Sequence, residues 1–259
     1  MSPVRGASQR NSASRPTNVE LWLIDCDQQA DALAQIEQQK RLVPAGELYR
    51  AGLKRDPTDA QRWLSGRVAL RLLLESRVGS EQARAEFIIA PGGRPSLAGN
   101  ALDFSLADSN SLLLIGLSRI GRIGVDIETL RPVKLSRERA GRLVTAANGL
   151  TGEHAQALGE DGILAAWTRI EAFAKATATS LAACLSALGT AGHTGHAKTQ
   201  GELDAHAARM RIAAGVTVAD LDLPGGLLGA VAVPVAAAEA TWHVEVMDAH
   251  APELFAFRG

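Results

Sequence analysis

Gly124-Val125-Asp126-Ile127-Glu128 alternates apolar and acidic side chains along five residues. Alternation of period two marks a strand, whose successive side chains point to opposite faces. Val125 and Ile127 therefore belong to a core face, and Asp126 and Glu128 share the other. Carboxylates two positions apart on a strand lie about 7 Å from each other, near enough to converge on one cation. Hard oxygen donors of this kind suit Mg²⁺, which keeps some waters and often binds substrate phosphates as well. A half-buried strand with an acidic outer face accounts for the same residues, so both readings stand at this point.

Downstream, Trp167-Thr168-Arg169-Ile170-Glu171-Ala172-Phe173-Ala174-Lys175 changes the period. At 3.6 residues per turn, Ile163, Trp167, Ile170 and Ala174 form one stripe, which predicts a helix over 161–177. Glu171 and Lys175 sit one turn apart at the edge of that stripe. They are either a surface ion pair worth ~0.5 kcal/mol, or a third carboxylate and a phosphate-facing ammonium. Upstream, Gly93-Arg94-Pro95-Ser96-Leu97 puts a guanidinium on a Gly/Pro-framed turn, which is either a phosphate contact or simply solvated. Phe104-Ser105-Leu106-Ala107-Asp108-Ser109 follows it. Earlier still, a predicted helix over 60–77 carries Arg62, Arg67 and Arg71, of which the last two share a face. Long cations on such a helix are often just solvated.

The remaining elements are read in the same way. Val19–Ile24 is a first strand, and residues 30–54 have helical spacing. Asp56-Pro57-Thr58-Asp59 signals a helix start, with Thr58 or Asp59 as the expected cap. Leu64, Val68 and Leu72 repeat at i+4 within the helix that follows. Strands are expected at 85–90, 102–105, 112–117, 123–128, 209–218 and 226–234, and helices at 135–147 and 151–158. Residues 190–201 read as loop, and 235–240 and the end from Thr241 are ambiguous. Helices and a few strands recur on both sides of 118–122, which predicts an α+β architecture of two halves. The expected organisation is a tail over 1–18, halves over 19–118 and 119–240, and an extension over 241–259.

Composition bounds the function. The net charge of −1 over 259 residues provides no global basic field for nucleic acid or a membrane surface, so any anion site must be local. Cys26 and Cys184 lack metal-type spacing and form no disulfide framework, which fits a reduced cytoplasm. The apolar runs 111–117 and 225–238 are shorter than the ~18 residues of a membrane span. The Ser/Arg-rich start has no apolar segment of the signal-peptide kind and reads as a disordered tail.

Taken together and in order, these segments resemble the long, pseudo-dimeric 4′-phosphopantetheinyl transferases. That family has runs of the form G-K/R-P-x-L, F-N/S-x-S-H-S, G-[IV]-D-[IV]-E and W-x-x-K-E-[AS]-x-x-K, all met here between Gly93 and Lys175. Arg62 and Arg71 are similar to the family's R-x(8)-R run. The resemblance implies two similar α+β halves with coenzyme A in the cleft between them. It implies transfer of phosphopantetheine from coenzyme A to a serine of an acyl or peptidyl carrier protein, with release of 3′,5′-ADP. By this resemblance Asp126, Glu128 and Glu171 are Mg²⁺ ligands, and Lys175 approaches the departing phosphate. Glu171 is also the candidate proton acceptor. Arg62 matches a contact to the 3′-phosphate, Arg94 the cation near the nucleotide, and Lys54 and Arg55 assisting basic residues. A chain of this type is expected to act as a monomer.

Three segments depart from the pattern. Ala107-Asp108 replaces the Ser-His pair, whose histidine donates to the pyrophosphate; an aspartate there repels the ligand unless protonated or metal-bound. Ile170 replaces a lysine, a loss of roughly 1.5–3 kcal/mol if a charged phosphate contact goes with it. Ala178 and Ser180 stand where glycines are expected. Either Asp108 joins the site in an active enzyme, or the chain is a weakened relative that binds coenzyme A or a carrier without efficient transfer. Arg137, Arg139 and Arg142 are candidates for meeting an acidic carrier helix or are a solvated basic face. His193, His196 and His206 read as surface residues.

Overall fold

The computed structural model describes residues 18–90, 93–99, 102–152, 162–190, 199–238 and 242–251. The first sheet begins with β1 (Val19–Asp25), an apolar run that ends at a pair of aspartates. Two helices follow, α1 (Ala30–Lys40) and α2 (Ala45–Gly52), where helical spacing over 30–54 suggested continuity. The break is local chemistry: Arg41 takes a left-handed conformation with φ 48°, and Pro44 precedes α2. The long helix α3 (Pro57–Val78) is capped by Asp56, whose side chain accepts from Thr58 N at 2.7 Å, with Pro57 in the first turn. The cap is thus Asp56, not Thr58 or Asp59.

The short helix α4 (Ser80–Arg84) consumes part of the chain expected as a strand over 85–90, which contracts to β2 (Ile88–Ile89). That strand pairs with β3 (Pro95–Ser96) in a small hairpin. Next, β4 (Asp103–Ser109) and β5 (Leu112–Ser118) pair antiparallel in continuous register from Asp103↔Ser118 to Ser109↔Leu112. In turn β5 pairs with β1.

The second sheet starts at β6 (Gly124–Glu128), the alternating segment. Four helices follow among the described residues: α5 (Arg137–Thr151), α6 (Ile163–Ala176), α7 (Leu181–Ala187) and α8 (Gln200–Ala214). Residues 209–214, expected as strand, are the last turns of α8. A Thr199/Glu202 capping box starts that helix and Gly215, left-handed at φ 64°, stops it, so the strand begins only afterwards. The antiparallel sheet is completed by β7 (Val216–Asp220) and β8 (Leu228–Pro234), in the order β6-β8-β7. Finally β9 (Glu245–Val246) returns to run parallel with β1, giving a first sheet of order β4-β5-β1-β9. Most of the expected helix over 151–158, the loop core 191–198 and the first seventeen residues lie outside the described residues.

The fold is α+β, and strand alternation layers it. From β1, Trp22 and Ile24 join Leu70, Leu73 and Phe104 under α1 and α3. Leu21 and Leu23 face the other way, onto Val125, Ile127, Val231 and Val233 of the second sheet. On β8, Ala230 and Ala232 turn to α5 and α6, where they meet Ala147, Ile170 and Phe173. The two sheets therefore share an apolar layer, and each carries helices on its far face. Close approach needs missing side chains: a Cβ at Gly116 of β5 would sit 2.7 Å from Val125 Cγ1.

At the seam, β4 and β6 are joined by side chains. Asp103 Oδ2 accepts from Ile123 N at 2.8 Å, Ser105 Oγ from Val125 N at 3.1 Å, and Ser109 Oγ from Thr129 N at 2.9 Å. Arg94 adds a four-way clamp, donating to Asp103 Oδ2, Phe104 O, Ile123 O and Lys175 O. On the other side of β6, helix α6 presses against Gly124, where a Cβ would lie 2.0 Å from Ala172 O. A backbone cannot yield that distance by rotamer changes. Gly124→Ala should therefore destabilise the protein by about 3 kcal/mol or more, read as a lower urea midpoint. An unchanged midpoint would show that α6 does not lie this close.

Candidate active site

The close α6–β6 contact determines where the charged groups fall. Lys175, in the last turn of α6, reaches across to β6 and donates to Asp126 Oδ1 at 2.8 Å and Val125 O at 3.0 Å. Its Nζ also lies 3.7 Å from Glu171 Oε2, one turn back on the helix. Strand and helix carboxylates thus face one ammonium. Glu128 shares the strand face of Asp126, and its carboxylate pairs with Arg131 at 3.0 Å. Among the described residues, no three acidic, histidine or cysteine side chains are gathered closely enough to hold a metal ion. Instead, the ammonium of Lys175 stands between two of the three expected ligands.

Charge is nevertheless crowded there. Burial pushes the Asp126 carboxyl up to about 7; Lys175 pulls it back, while Glu171 and Glu128 push it further up. Three carboxylates and one lysine leave a surplus of negative charge on hard oxygen donors. That surplus is the chemistry a small divalent cation satisfies.

Across the seam, β4 lines a cavity of about 300 Å³ whose other walls come from α3, the turn before it and the start of β5. Lys54, Arg62 and Arg67 supply positive charge to its lining, and Asp59 and Asp108 negative charge. Asp108 and Glu128 each directly precede the Ser109–Thr129 pair, bonded at 2.9 Å. The cavity strand and the carboxylate strand are therefore held in a fixed register, twenty residues apart in sequence.

The remaining residues singled out by sequence divide between site and scaffold. Arg62 is at the cavity, its guanidinium engaged by Asp27 through bonds of 2.8 and 2.6 Å. That bonding holds the Asp27 carboxyl below its ordinary range. Arg55 is exposed on the turn beside Lys54. Arg94 does not line the cavity; its guanidinium is occupied in the seam clamp. Arg71, matched to the second arginine of the R-x(8)-R run, is fully buried, bonded to Glu47 at 2.7 Å and stacked 4.2 Å from the Phe87 ring. Arg142 donates to Gly189 O, while Arg137 and Arg139 are exposed at the start of α5. His206 is bonded to Ala187 O at 2.8 Å, and His193 and His196 lie outside the described residues.

Sequence reasoning missed the first of two features and anticipated the second, the burial of a residue on the α6 stripe. Cys26 lines the cavity, but burial first, and then Asp25, Asp27 and Asp108, push its thiol up to about 12, so it is not a nucleophile at neutral pH. Ile170 is fully buried in the second core. It packs there with Ala147, Phe173 and Ala230. The cation at its neighbour, Arg169, is also buried and is tied to Asp220 at 2.7 Å and to Asn148 at 3.0 Å.

No protein-family model matches the chain. Among curated proteins it is 30% identical over 173 residues to the 4′-phosphopantetheinyl transferase HetI of a Nostoc species, covering 63% of this chain and 70% of that protein. It is 31% identical over 175 residues to slr0495 of a Synechocystis species, which carries the same enzyme name provisionally; the match covers 64% of this chain and 68% of that protein. The 4′-phosphopantetheinyl transferase AcpT of Salmonella typhi is 35% identical over 142 residues, 51% of this chain and 68% of the relative. With the ordered motifs and the lysine–carboxylate seam, these relatives show that the chain belongs to the 4′-phosphopantetheinyl transferase family.

Proposed function

We propose that the protein transfers the phosphopantetheine of coenzyme A to a serine of an acyl or peptidyl carrier protein, releasing 3′,5′-ADP, with Mg²⁺ held by Asp126, Glu128 and Glu171. The observation that carries this reading is the convergence of Asp126, Glu171 and Lys175 beside a cation-lined cavity. Mg²⁺ bound by these carboxylates supplies charge neutralisation at the phosphoryl oxygens. Were Asp126 turned toward such an ion, its bond to Lys175 would open and the ammonium would be free to meet a phosphate.

The carrier's serine oxygen forms a bond to the β-phosphorus while the bond from that phosphorus to the bridging oxygen of 3′,5′-ADP breaks. Glu171 takes the serine proton, and Lys175 donates to the phosphoryl oxygens on which charge develops. The serine is the nucleophile and Cys26 is kept as a thiol, so no enzyme-bound covalent intermediate is needed. The full burial of Ile170 supports an active enzyme over a weakened relative, because that departure removes nothing from the cavity. No described helix is long and apolar enough to cross a membrane. A cytoplasmic monomer is the arrangement we propose.

Incubation with coenzyme A, Mg²⁺ and an apo carrier protein should add the phosphopantetheine arm, seen by intact mass. Glu171→Gln should slow this by about 10²–10⁴-fold while the circular dichroism spectrum is unchanged; a fully active variant would remove Glu171 from the mechanism. Ile170→Lys, which mimics the family's usual residue, should destabilise the fold by several kcal/mol rather than improve turnover, since it buries an unpaired charge. A gain in rate with an unchanged melting temperature would contradict the burial of this position.

Asp126 also predicts a pH dependence. Its folded pKa of about 7 lies above the ordinary value of 3.8, so between these limits the folded state holds a proton that the unfolded state has released. Without divalent ions, this group makes stability fall as pH rises from about 4 to 7 and adds no slope above that. Urea titrations across this range should show the fall, and Asp126→Asn should flatten it. An equally steep fall in the variant would assign the effect to other groups. Mg²⁺ at pH 8 should raise the melting temperature of the wild type more than that of Asp126→Asn.

A further inference from the structure

Helix α6 is gripped at a second place, on the flank of its sheet away from β6. Arg169 is fully buried, and its guanidinium donates to both carboxylate oxygens of Asp220, from Nε at 2.7 Å and from Nη2 at 2.5 Å. Its Nη1 donates to Asn148 Oδ1 of α5 at 3.0 Å. Asp220 is the last residue of β7, which stands at the other end of the strand order from β6. None of these three residues lines the cavity.

The register of the second sheet relates this pair to the carboxylate cluster. Ala230 of β8 stands opposite Asp126 on one side and opposite Asp220 on the other. Residues directly opposite each other share a face, and Ala230 turns to the helices. Asp126, Ala230 and Asp220 therefore form one rung under α6, with an aspartate at each end. Each aspartate takes a cation from that helix, Asp126 from Lys175 and Asp220 from Arg169. The spacings agree. Two strand intervals measure about 9.6 Å, and six helical residues rise about 9 Å. Helix α6 packs on all three strands of the rung.

The two grips differ in kind. Lys175 makes one bond to Asp126, keeps 29% of its side chain exposed, and gives up that bond if it is to meet a phosphate. Arg169 instead holds Asp220 with a planar fork, which fixes orientation as well as distance. A buried guanidinium paired in this way adds little net stability over an apolar side chain of similar size.

We propose that Arg169 is a positioning residue of the transferase. Its fork on Asp220 keeps α6 seated on the rung when Lys175 leaves Asp126, so Glu171 and Lys175 stay aligned with the β6 carboxylates. At 3.6 residues per turn Arg169 lies about 200° around the helix from Glu171, so it acts through the helix and not on the reacting atoms. This rests on the transferase reading and adds a residue to it.

Arg169→Met combined with Asp220→Asn removes both charges and leaves no buried ion without its partner. Transfer to an apo carrier protein should show kcat lowered by about ten- to a hundredfold. Isothermal titration should show the affinity for coenzyme A unchanged, because the cavity is built from α3, β4 and β5. Since Glu171 moves with α6, Mg²⁺ at pH 8 should raise the melting temperature of the variant less than that of the wild type. A wild-type kcat in the folded variant would overturn the inference and leave the transferase reading intact, even if the variant melted earlier. An equal response to Mg²⁺, or a loss of coenzyme A affinity as large as the loss of kcat, would also overturn it. Absence of transfer by the wild type would overturn the transferase reading and the inference with it. Should the paired variant not fold, Arg169→Lys decides, since it keeps the charge without the fork; a wild-type kcat there would overturn the inference.

Discussion

The seam between β4 and β6 is the constraint on which the rest of the molecule depends. The two strands are not joined by an ordinary ladder; three β4 side chains, at positions 103, 105 and 109, accept from backbone amides of the second sheet. The intervening position of the same parity is Ala107, which has no oxygen to offer. Arg94 then ties together four partners from β4, the residue before β6, and α6; burial works against its charge, and Asp103 offsets part of that cost. Because the cavity belongs to β4 and the carboxylates to β6, a shift along this seam would separate the cavity from the carboxylates.

Much of this was legible beforehand. The alternation in Gly124–Glu128 gave a strand with its acidic face correctly assigned, and the stripe through Ile170 and Ala174 gave the helix that carries Glu171 and Lys175. Both are short-range signals that survive packing. What could not be read was the sharing of charge. A lone arginine on a Gly/Pro turn looks the same whether it meets a phosphate or three carbonyls of its own chain. Arg94 shows the second arrangement because the backbone carbonyls it meets come from residues far apart in sequence. Similarly, Arg62, Arg67 and Arg71 share one helix but enter three environments, an exposed ion pair, a cavity wall and a core, which only the surrounding elements distinguish. The strand expected over 209–218 failed for a local reason: the capping box at Thr199 starts a helix that runs to Gly215.

The carboxylate cluster illustrates how a site can be chemically prepared without being geometrically closed. Asp126, with its elevated proton affinity, is a base waiting for a cation, and Lys175 supplies one from within the chain. Such internal pairing lowers the cost of gathering like charges in the unliganded protein.

The pairing of Trp22 with Glu245 has a consequence for how the chain assembles. A ribosome emits β1 early and β9 more than two hundred residues later, so this rim of β1 stays uncovered until β9 emerges. Bare strand rims invite pairing with other chains. β9 therefore works as a late-arriving cover strip on the earliest strand of the structure.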